Sequence, residues 1–336
     1  MTTIKPRAAV QRMAPYKPPA EGRAGKLRLD FNENTVGASP RVVEAISRAL
    51  NVESLTLYPE YSEARPKLAR YFGVEEAEMV LTNGTDEAIQ VFVNTFVEAG
   101  DVVYVPEPSY AMYRFYSEVM GARVTNELSA AKRAAMIANP NNPTGAWFEI
   151  DEVVAMLERF PQTLFLLDEA YFEFSGLTVL DKIRDYANLF VSRTFSKVHG
   201  MAALRMGCLF SSRENVAWMR KAQSPYSVNA LAVIAAGAAV DDAEYARAFA
   251  AEVVEARARI ERGIEELGIA FRPSRANFVL FDAGARAIEV RDKLRDAGVL
   301  VRDRSYEIPG GVRVTAGTLA QAERFLEELR RIWRPQ

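Results

Sequence analysis

The sequence predicts an α/β protein, with a largely parallel sheet in its larger part and a smaller α+β unit at its carboxyl end. Two observations carry this prediction. Short apolar runs typical of strands alternate with helical patterns between residues 78 and 240, and polar turns follow several of these runs. The elements then shorten after a long amphipathic helix over residues 242–267. Because alternating strands and helices form parallel sheets, we expect the functional loops at the carboxyl ends of the strands.

The bulk composition bounds the class of protein. The chain has 336 residues, enough for one large domain or for a large and a small one. An apolar fraction of 49% and a charged fraction of 26% are typical of soluble globular proteins. The net charge of −2 gives no electrostatic reason to expect nucleic acid as a partner. The longest apolar run, residues 230–240, is too short to cross a bilayer, so no membrane partner is expected.

The counts of cysteine and histidine exclude several kinds of site. The single cysteine, Cys208, excludes an intrachain disulfide and favours a reducing compartment, and residues 1–12 lack the apolar core of a secretory signal. We therefore expect a cytoplasmic protein. The single histidine, His199, excludes a zinc site of cysteine and histidine, and no metal is predicted. We expect Cys208 to lie in the core and His199 to pack inside the protein.

The first thirty residues are basic and contain four prolines, at positions 6, 15, 18 and 19. This composition predicts an extended arm that lies across the domain or a partner subunit, with a frayed arm as the alternative. A short alternating run over 27–31 then ends in Asn-Glu-Asn. Ser39 and Pro40 are predicted as the cap and first residue of a helix.

The strand predicted over 78–81 stops at Thr-Asn-Gly-Thr-Asp (82–86), where a helix begins. A polar turn with a glycine between strand and helix presents free N–H groups to an anion. An ordinary turn capped by Thr85 or Asp86 is the alternative, which this motif alone does not exclude.

Later strands lead into further polar segments. The strands over 134–138, 163–167 and 189–191 precede Asn-Pro-Asn-Asn-Pro-Thr-Gly, Asp-Glu-Ala-Tyr and Ser-Arg-Thr-Phe-Ser-Lys, respectively. Asn142, Asp168 and Lys197 are each placed just past the end of a strand. We therefore expect these three side chains to share one site.

The segment 192–207 combines hydroxyls, one lysine and two arginines. Hydroxyl and guanidinium donors satisfy phosphate oxygens. The cluster of Ser192, Arg193, Thr194 and Ser196, with Arg205 eight residues past Lys197, therefore predicts a cradle for a dianion. A lysine close to other cations has a lowered pKa, which frees a neutral amine for Schiff-base chemistry. The alternative is a solvated lysine at a basic strand end. We interpret Lys197 as an amine that binds a cofactor.

Through these and further motifs, the chain resembles the fold-type I aminotransferases that use pyridoxal phosphate, and most of all their histidinol-phosphate aminotransferase branch. The matching motifs are LDFNEN (29–34), YP (58–59), TNGTDEAI (82–89), PSYAMY (108–113), NPNNPTG (139–145), LLDEAY (166–171), TFSKVHGMAALRMG (194–207) and VRVTAGT (312–318). The resemblance implies a mainly parallel seven-stranded sheet between helices, and a homodimer with a shared active site. It implies an N-terminal arm and small-domain segment over 1–38, a large domain over 39–241 and a small domain over 242–336.

The resemblance also implies a role for each residue at the cofactor. Lys197 would bind pyridoxal 5′-phosphate and then move the proton at the reacting carbon, and Asp168 would pair with the ring nitrogen. Asn142 and Tyr171 would hydrogen-bond the phenolic oxygen. The resemblance assigns five residues to the cofactor phosphate: Gly84, Thr85, Thr194, Ser196 and Arg205. It also implies cofactor contacts from Asp86, from Tyr110, which would stack on the ring, and from Tyr58 of the other subunit.

The resemblance gives less specific roles to the residues that would bind the substrate. Arg313 would bind a substrate carboxylate with its planar guanidinium, and a surface arginine on an edge strand is the alternative. Asn34 is a further substrate-binding candidate. Arg304 and Arg302, with Tyr16 of the arm, are the candidates for a substrate phosphate. The chain departs from the family pattern at His199, Ala203 and Thr35, which leaves the identity of the substrate open.

We therefore predict an aminotransferase that works by a ping-pong mechanism. It would exchange an amino group between glutamate or 2-oxoglutarate and a second amino-acid-like small molecule, L-histidinol phosphate, in histidine biosynthesis. An aromatic amino acid aminotransferase and a threonine-phosphate decarboxylase are the alternatives on the same fold. LFLLDEAY (164–171) resembles a Walker B strand, but the only Gly-Lys pair, at 25–26, does not form a P-loop. Intact Lys197, Asp168 and Asn142 argue against a non-catalytic relative.

Overall fold

The computed structural model describes residues 4–13 and 22–333. The helices within these ranges are α1 Ala8–Arg12, α2 Pro40–Ala49, α3 Val52–Thr56, α4 Ala64–Phe72, α5 Gly84–Phe96, α6 Ala111–Met120, α7 Ile150–Arg159, α8 Phe172–Ser175, α9 Arg213–Ala222, α10 Ala230–Asp241, α11 Ala243–Glu266, α12 Ala287–Asp296 and α13 Leu319–Trp333. The strands are β1 Leu27–Arg28, β2 Met79–Thr82, β3 Val102–Tyr104, β4 Arg123–Thr125, β5 Ala134–Ala138, β6 Leu164–Asp168, β7 Leu189–Thr194, β8 Gly207–Phe210, β9 Phe271–Arg272, β10 Phe278–Asp282, β11 Val299–Leu300, β12 Arg302–Asp303 and β13 Gly311–Thr315.

Seven of these strands form one sheet, in the order β2-β8-β7-β6-β5-β3-β4. Strand β8 runs antiparallel to both of its neighbours, and the other pairs are parallel. Every residue of β5 and β7 is buried, because helices cover both faces of the sheet. The predicted α/β sheet is therefore confirmed, with one antiparallel strand inside it.

The carboxyl ends of β5, β6 and β7 lie side by side. The register aligns Ala138 with Asp168 and Asp168 with Ser192. The segments that follow these strands are therefore neighbours at one edge of the sheet, as predicted. Asp168 is the last residue of β6 rather than the first residue after it, since the ladder continues with a hydrogen bond from Asn139 N to Asp168 O at 2.9 Å.

The carboxyl-terminal unit holds a second, antiparallel sheet in the order β12-β13-β10-β9. Its apolar core includes side chains from α11, α12 and α13. Strand β1 pairs in parallel with β11, which links the segment before residue 38 to this unit. The limits at residues 38 and 241 stay predictions.

The prediction of a wholly extended arm is wrong for residues 8–12, which form helix α1. Short helix-compatible side chains follow Pro6 there, and Arg7 Nη2 donates to the carbonyl of Val119 in α6 at 2.9 Å. His199 and Cys208 are buried in the interior as predicted, and the ring of His199 lies 4.8 Å from that of Phe195. Among the helices described within residues 4–13 and 22–333, none combines the length and the apolarity needed to span a membrane.

Candidate active site

Asp168 lies at the sheet edge formed by the carboxyl ends of β5, β6 and β7, and it is 4% exposed. Its Oδ2 accepts a hydrogen bond from the Tyr113 hydroxyl at 2.7 Å, and its Oδ1 accepts from Ser192 Oγ at 3.1 Å. Burial raises the pKa of Asp168 to about 6, and these hydrogen bonds act against that rise. A buried carboxylate held in this way suits a cationic partner, such as a protonated ring nitrogen.

Lys197 lies three residues beyond the end of β7. Its Nζ donates to the carbonyl of Phe31 at 3.3 Å and lies 5.9 Å from the centre of the Tyr171 ring. Burial, with the charge of Arg313 in addition, lowers the pKa of Lys197 to about 8, and Asp168 is among the charges that act on it. The amine and the carboxylate therefore lie close enough for their charges to interact, and much of the lysine is neutral at mildly basic pH.

The predicted anion cradle forms where α5 begins. A Cβ atom at Gly84 would lie 2.5 Å from Arg205 Nη2, and Gly84 has a φ of +71°, so only glycine fits this close approach. Arg205 itself has a φ of +56°, an unusual conformation for a residue with a side chain. Its guanidinium reaches Ser196 Oγ at 3.4 Å and Asp86 Oδ2 at 3.2 Å.

The cradle offers donors that fit a phosphate. In the described part of the chain, Thr85 Oγ1 is buried without a hydrogen-bond partner, and Asn83, the residue before α5, makes no side-chain cap. Ser196 Oγ and the Arg205 guanidinium complete the set of side-chain donors. Unpaired buried donors are rare, so this arrangement indicates an anion that accepts from them. The predicted cofactor phosphate fits these residues.

Two other predicted cofactor residues have clear partners. Tyr110 donates its hydroxyl to Asp86 Oδ1 at 2.8 Å, which places Asp86 between Tyr110 and Arg205. Thr194 Oγ1 accepts from the Ser196 backbone N–H at 3.1 Å and so shapes the turn that leads to Lys197.

Tyr171 and Asn142 approach the site from the ends of two neighbouring strands. The Tyr171 hydroxyl accepts from Asn32 Nδ2 at 2.9 Å, and Asn142 Oδ1 accepts from Arg313 Nη1. Burial raises the pKa of Tyr171 above its usual value, so this hydroxyl stays protonated and can donate. Tyr171 lies beside Lys197, and Asn142 is held by Arg313.

Arg313 is 4% exposed and lies on β13, which has a strand on each side. The alternative of a surface arginine on an edge strand is therefore wrong. The guanidinium donates to Asp30 O at 2.8 Å and to Asn142, while its buried Nε has no partner within residues 4–13 and 22–333. Burial lowers the pKa of Arg313 to about 10, so it remains a cation at neutral pH.

The remaining substrate candidates differ in how they are held. Arg304 pairs with Glu307, and its buried Nε has no hydrogen-bond partner among the residues that the structure describes. The guanidinium of Arg302 lies 5.7 Å from the centre of the Phe31 ring. Asn34 donates to Val198 O at 2.9 Å and accepts from two backbone N–H groups, so it braces the turn beside Lys197.

Tyr58 is 75% exposed, with its ring 4.6 Å from that of Tyr226, and its role across a subunit boundary stays a prediction. Tyr16 lies outside the described residues.

Two members of the predicted cradle cluster have other partners, because Ser192 donates to Asp168 and Arg193 pairs with Glu169. Two residues that contact the site carry no predicted role: Asn32 and Tyr113. Tyr113 closes the PSYAMY motif and Asn32 stands in LDFNEN, so the motifs contained both. Their partners, Asp168 and Tyr171, are distant in sequence. A pairing of this kind depends on tertiary packing, which strand and helix patterns do not reveal.

Comparison with known proteins identifies the family. The model of the family "Aminotransferase class I and II" matches residues 24–329. A histidinol-phosphate aminotransferase from Symbiobacterium thermophilum is 41% identical and aligns with 96% of this chain and 97% of its own. Histidinol-phosphate aminotransferase 2 from Pseudomonas fluorescens is 35% identical, with 96% of each chain covered.

A solved structure agrees. Histidinol-phosphate aminotransferase from Sinorhizobium meliloti, in complex with pyridoxal-5′-phosphate, has a TM-score of 0.88 at 25% identity over 99% of this chain and 98% of that one. The chain belongs to the class I and II aminotransferases, and its fold is that of the fold-type I members.

Proposed function

We propose that this protein is a pyridoxal-phosphate-dependent aminotransferase of histidine biosynthesis. It would exchange an amino group between glutamate or 2-oxoglutarate and L-histidinol phosphate. The observation that supports the proposal is that Lys197 and Asp168 lie close enough for their charges to interact, at the sheet edge that also holds the candidate phosphate cradle. The 41% identity to a histidinol-phosphate aminotransferase supports the choice of substrate.

Pyridoxal phosphate supplies an aldehyde that reacts with amines and a ring that accepts negative charge from the substrate carbon. We assign its phosphate to the cradle of Gly84, Thr85, Ser196 and Arg205, where Thr85 Oγ1 has no other partner. Asp168 accepts the hydrogen bond of the ring nitrogen. The remaining cofactor contacts are assigned to Asp86, Tyr110, Asn142, Tyr171, Thr194 and, from the partner subunit, Tyr58.

Lys197 is the base and acid that takes the proton from the substrate carbon and returns it. Its pKa of about 8 supports this role, because a proton carrier works best when its pKa lies near the working pH. The hydrogen bond to Phe31 O holds the amine on the side of the site that also contains Arg313.

Arg313 binds the anionic end of both substrates. Glutamate offers an α-carboxylate, whereas L-histidinol phosphate carries a phosphate ester on the corresponding carbon. A buried guanidinium with an unpaired Nε can donate to either anion. A phosphate carries more negative charge than a carboxylate, so its binding requires further cations. Arg302 and Arg304 lie close enough to Arg313 to lower its pKa.

The second part of the proposal is that the protein forms a homodimer. Tyr58 is exposed next to a run of exposed apolar side chains at Leu50, Val52, Leu55 and Leu57. An exposed apolar run of this kind supports burial against a second subunit. We further propose a cytoplasmic location, which the single buried cysteine supports.

The test is a side-by-side assay of three amino substrates with pyridoxal phosphate present: L-histidinol phosphate, phenylalanine and threonine phosphate. We expect the highest kcat/KM for L-histidinol phosphate, with 2-oxoglutarate consumed in equal amount and parallel double-reciprocal lines. Preference for phenylalanine would assign an aromatic aminotransferase. Turnover of threonine phosphate without consumption of 2-oxoglutarate would assign a decarboxylase, and intersecting lines would exclude the ping-pong mechanism.

A further inference from the structure

The buried hydroxyl of Tyr113 is directed at the carboxylate assigned to the cofactor. Tyr113 lies in α6, its side chain is fully buried, and its hydroxyl donates to Asp168 Oδ2 at 2.7 Å. A tyrosine hydroxyl in the core needs a partner, and here that partner is an ionisable group. This contact connects α6 to the end of β6.

The two oxygens of Asp168 are used unequally. Oδ1 accepts two hydrogen bonds, from Ser192 Oγ at 3.1 Å and from the Ala170 backbone N–H at 3.2 Å. Oδ2 accepts only the one from Tyr113 within the described part of the chain. Because each carboxylate oxygen has two lone pairs, Oδ2 retains acceptor capacity. A ring nitrogen that donates to Asp168 would therefore share Oδ2 with Tyr113.

We propose that Tyr113 is a positioning residue that holds Asp168 ionised and aims its Oδ2 at the ring nitrogen of the cofactor. The proposal rests on the role given to Asp168 under the proposed function. It adds a residue that acts through Asp168 and touches neither substrate nor cofactor.

The electrostatics support the direction of the effect. Burial raises the pKa of Asp168, and the hydrogen bond from Tyr113 opposes that rise by stabilising the charged form. The pKa of Tyr113 itself is raised far above its usual value by burial and by the charge of Asp168, so it remains a neutral donor. The ionisable groups that act on these two side chains from neighbouring elements are Asp86, Tyr110, Tyr171 and Lys197.

Loss of the Tyr113 hydroxyl would change how the proton is shared between Asp168 and the ring nitrogen. A carboxylate that loses the Tyr113 hydrogen bond becomes more basic, so it competes better for the proton shared with the ring nitrogen. A ring nitrogen without its proton is a weaker acceptor of charge from the substrate carbon. Loss of the hydroxyl should therefore slow the chemical step and leave substrate binding unchanged.

The test compares Tyr113→Phe with a matched control, Ser117→Ala, in the full holoenzyme. Both changes remove a buried hydroxyl from α6, but Ser117 Oγ donates to the carbonyl of Tyr113 at 2.8 Å and does not contact Asp168. Phenylalanine keeps the buried ring and leaves no donor unpaired, so the variant should fold. The readouts are the ¹⁵N chemical shift of labelled pyridoxal phosphate at its ring nitrogen, and kcat and KM measured separately.

For Tyr113→Phe we expect the ¹⁵N shift to move toward the unprotonated ring and kcat to fall about 10- to 100-fold, as for loss of one hydrogen bond to a charged group. The KM for glutamate should change less than about twofold, and Ser117→Ala should match the wild type. An unchanged ¹⁵N shift in Tyr113→Phe, or an equal change in both variants, would overturn the inference. A wild-type protein that takes up no cofactor would instead overturn the proposed function, and the inference with it.

Discussion

The cofactor side and the substrate side of the site draw their residues from differently built parts of the molecule. Asp168 and Lys197 come from the carboxyl ends of adjacent parallel strands in one buried sheet. The arginines on the substrate side come from the antiparallel sheet of the carboxyl-terminal unit and the loop between its strands. Strand register therefore fixes the positions of the cofactor-side residues, whereas the positions of the substrate-side arginines depend on how separate segments pack.

The partners of the two groups differ in the same way. Asp168 is held by a tyrosine hydroxyl, a serine hydroxyl and a backbone N–H, which stay in place when a ligand binds. Arg304, by contrast, is paired with the carboxylate of Glu307. An anionic substrate can replace a carboxylate partner. We therefore infer a fixed cofactor side and an adjustable substrate side.

The largest effect should come from Lys197→Ala. Loss of the proton carrier should lower kcat by about 10⁴-fold, the upper range for a general acid–base group, and should end covalent retention of the cofactor. Turnover measurements after gel filtration would test both effects. Lys221→Ala removes a lysine from the surface, over the ring of Trp218, and should leave both properties unchanged. Retained turnover in Lys197→Ala would contradict the fixed cofactor side.

Arg313→Lys should have the next largest effect. Lysine keeps the positive charge but loses the planar pair of donors, so the KM values for glutamate and 2-oxoglutarate should rise about 10- to 100-fold. Steady-state kinetics would measure this, with Arg272→Lys on the exposed part of the same sheet as the control. Equal KM values in both variants would show that Arg313 binds neither carboxylate.

Glu307→Gln should distinguish the two substrates. Removal of the carboxylate leaves Arg304 free to bind a phosphate, so the KM for L-histidinol phosphate should fall about fivefold, in the range of a partly exposed ion pair. The KM for glutamate should stay within about twofold of the wild type. A higher KM for the phosphorylated substrate would instead show that Glu307 holds Arg304 in its binding position.

The pH dependence of cofactor uptake should show the smallest effect. Burial lowers the pKa of Lys197 from 10.5 to about 8, and only the neutral amine reacts with an aldehyde. The rate of uptake by the apoprotein should therefore rise as the pH increases through about 8 and then level off. Stopped-flow absorbance would measure it. A rate that still rises steeply between about pH 9 and 10.5 would indicate an ordinary solvated lysine.

The sequence allowed prediction of the parts of this site that lie at strand ends. Asn142, Asp168 and Lys197 could be placed together because parallel strands end at a common edge. The turn at Gly84 could present free N–H groups to an anion, but only the family resemblance assigned this glycine to a phosphate. Tyr113 could not be paired with Asp168 in advance, since that contact depends on the packing of α6 against β6.

The substrate side was less predictable for a related reason. Arg313 was found through its motif, but its burial follows from the pairing of β13 with strands on both sides. The pairing of Arg304 with Glu307 depends on the conformation of the loop after β12, which the sequence pattern did not define. The short helix α1 was missed because the four prolines outweighed the helix-compatible residues 8–12.

The most direct measurement is borohydride reduction of the holoenzyme, followed by digestion and mass spectrometry of the peptides. The candidate site that holds Lys197 and Asp168 predicts a phosphopyridoxyl group on Lys197 and on no other lysine. A label on a different lysine, or a protein that takes up no cofactor and remains unlabelled, would contradict it.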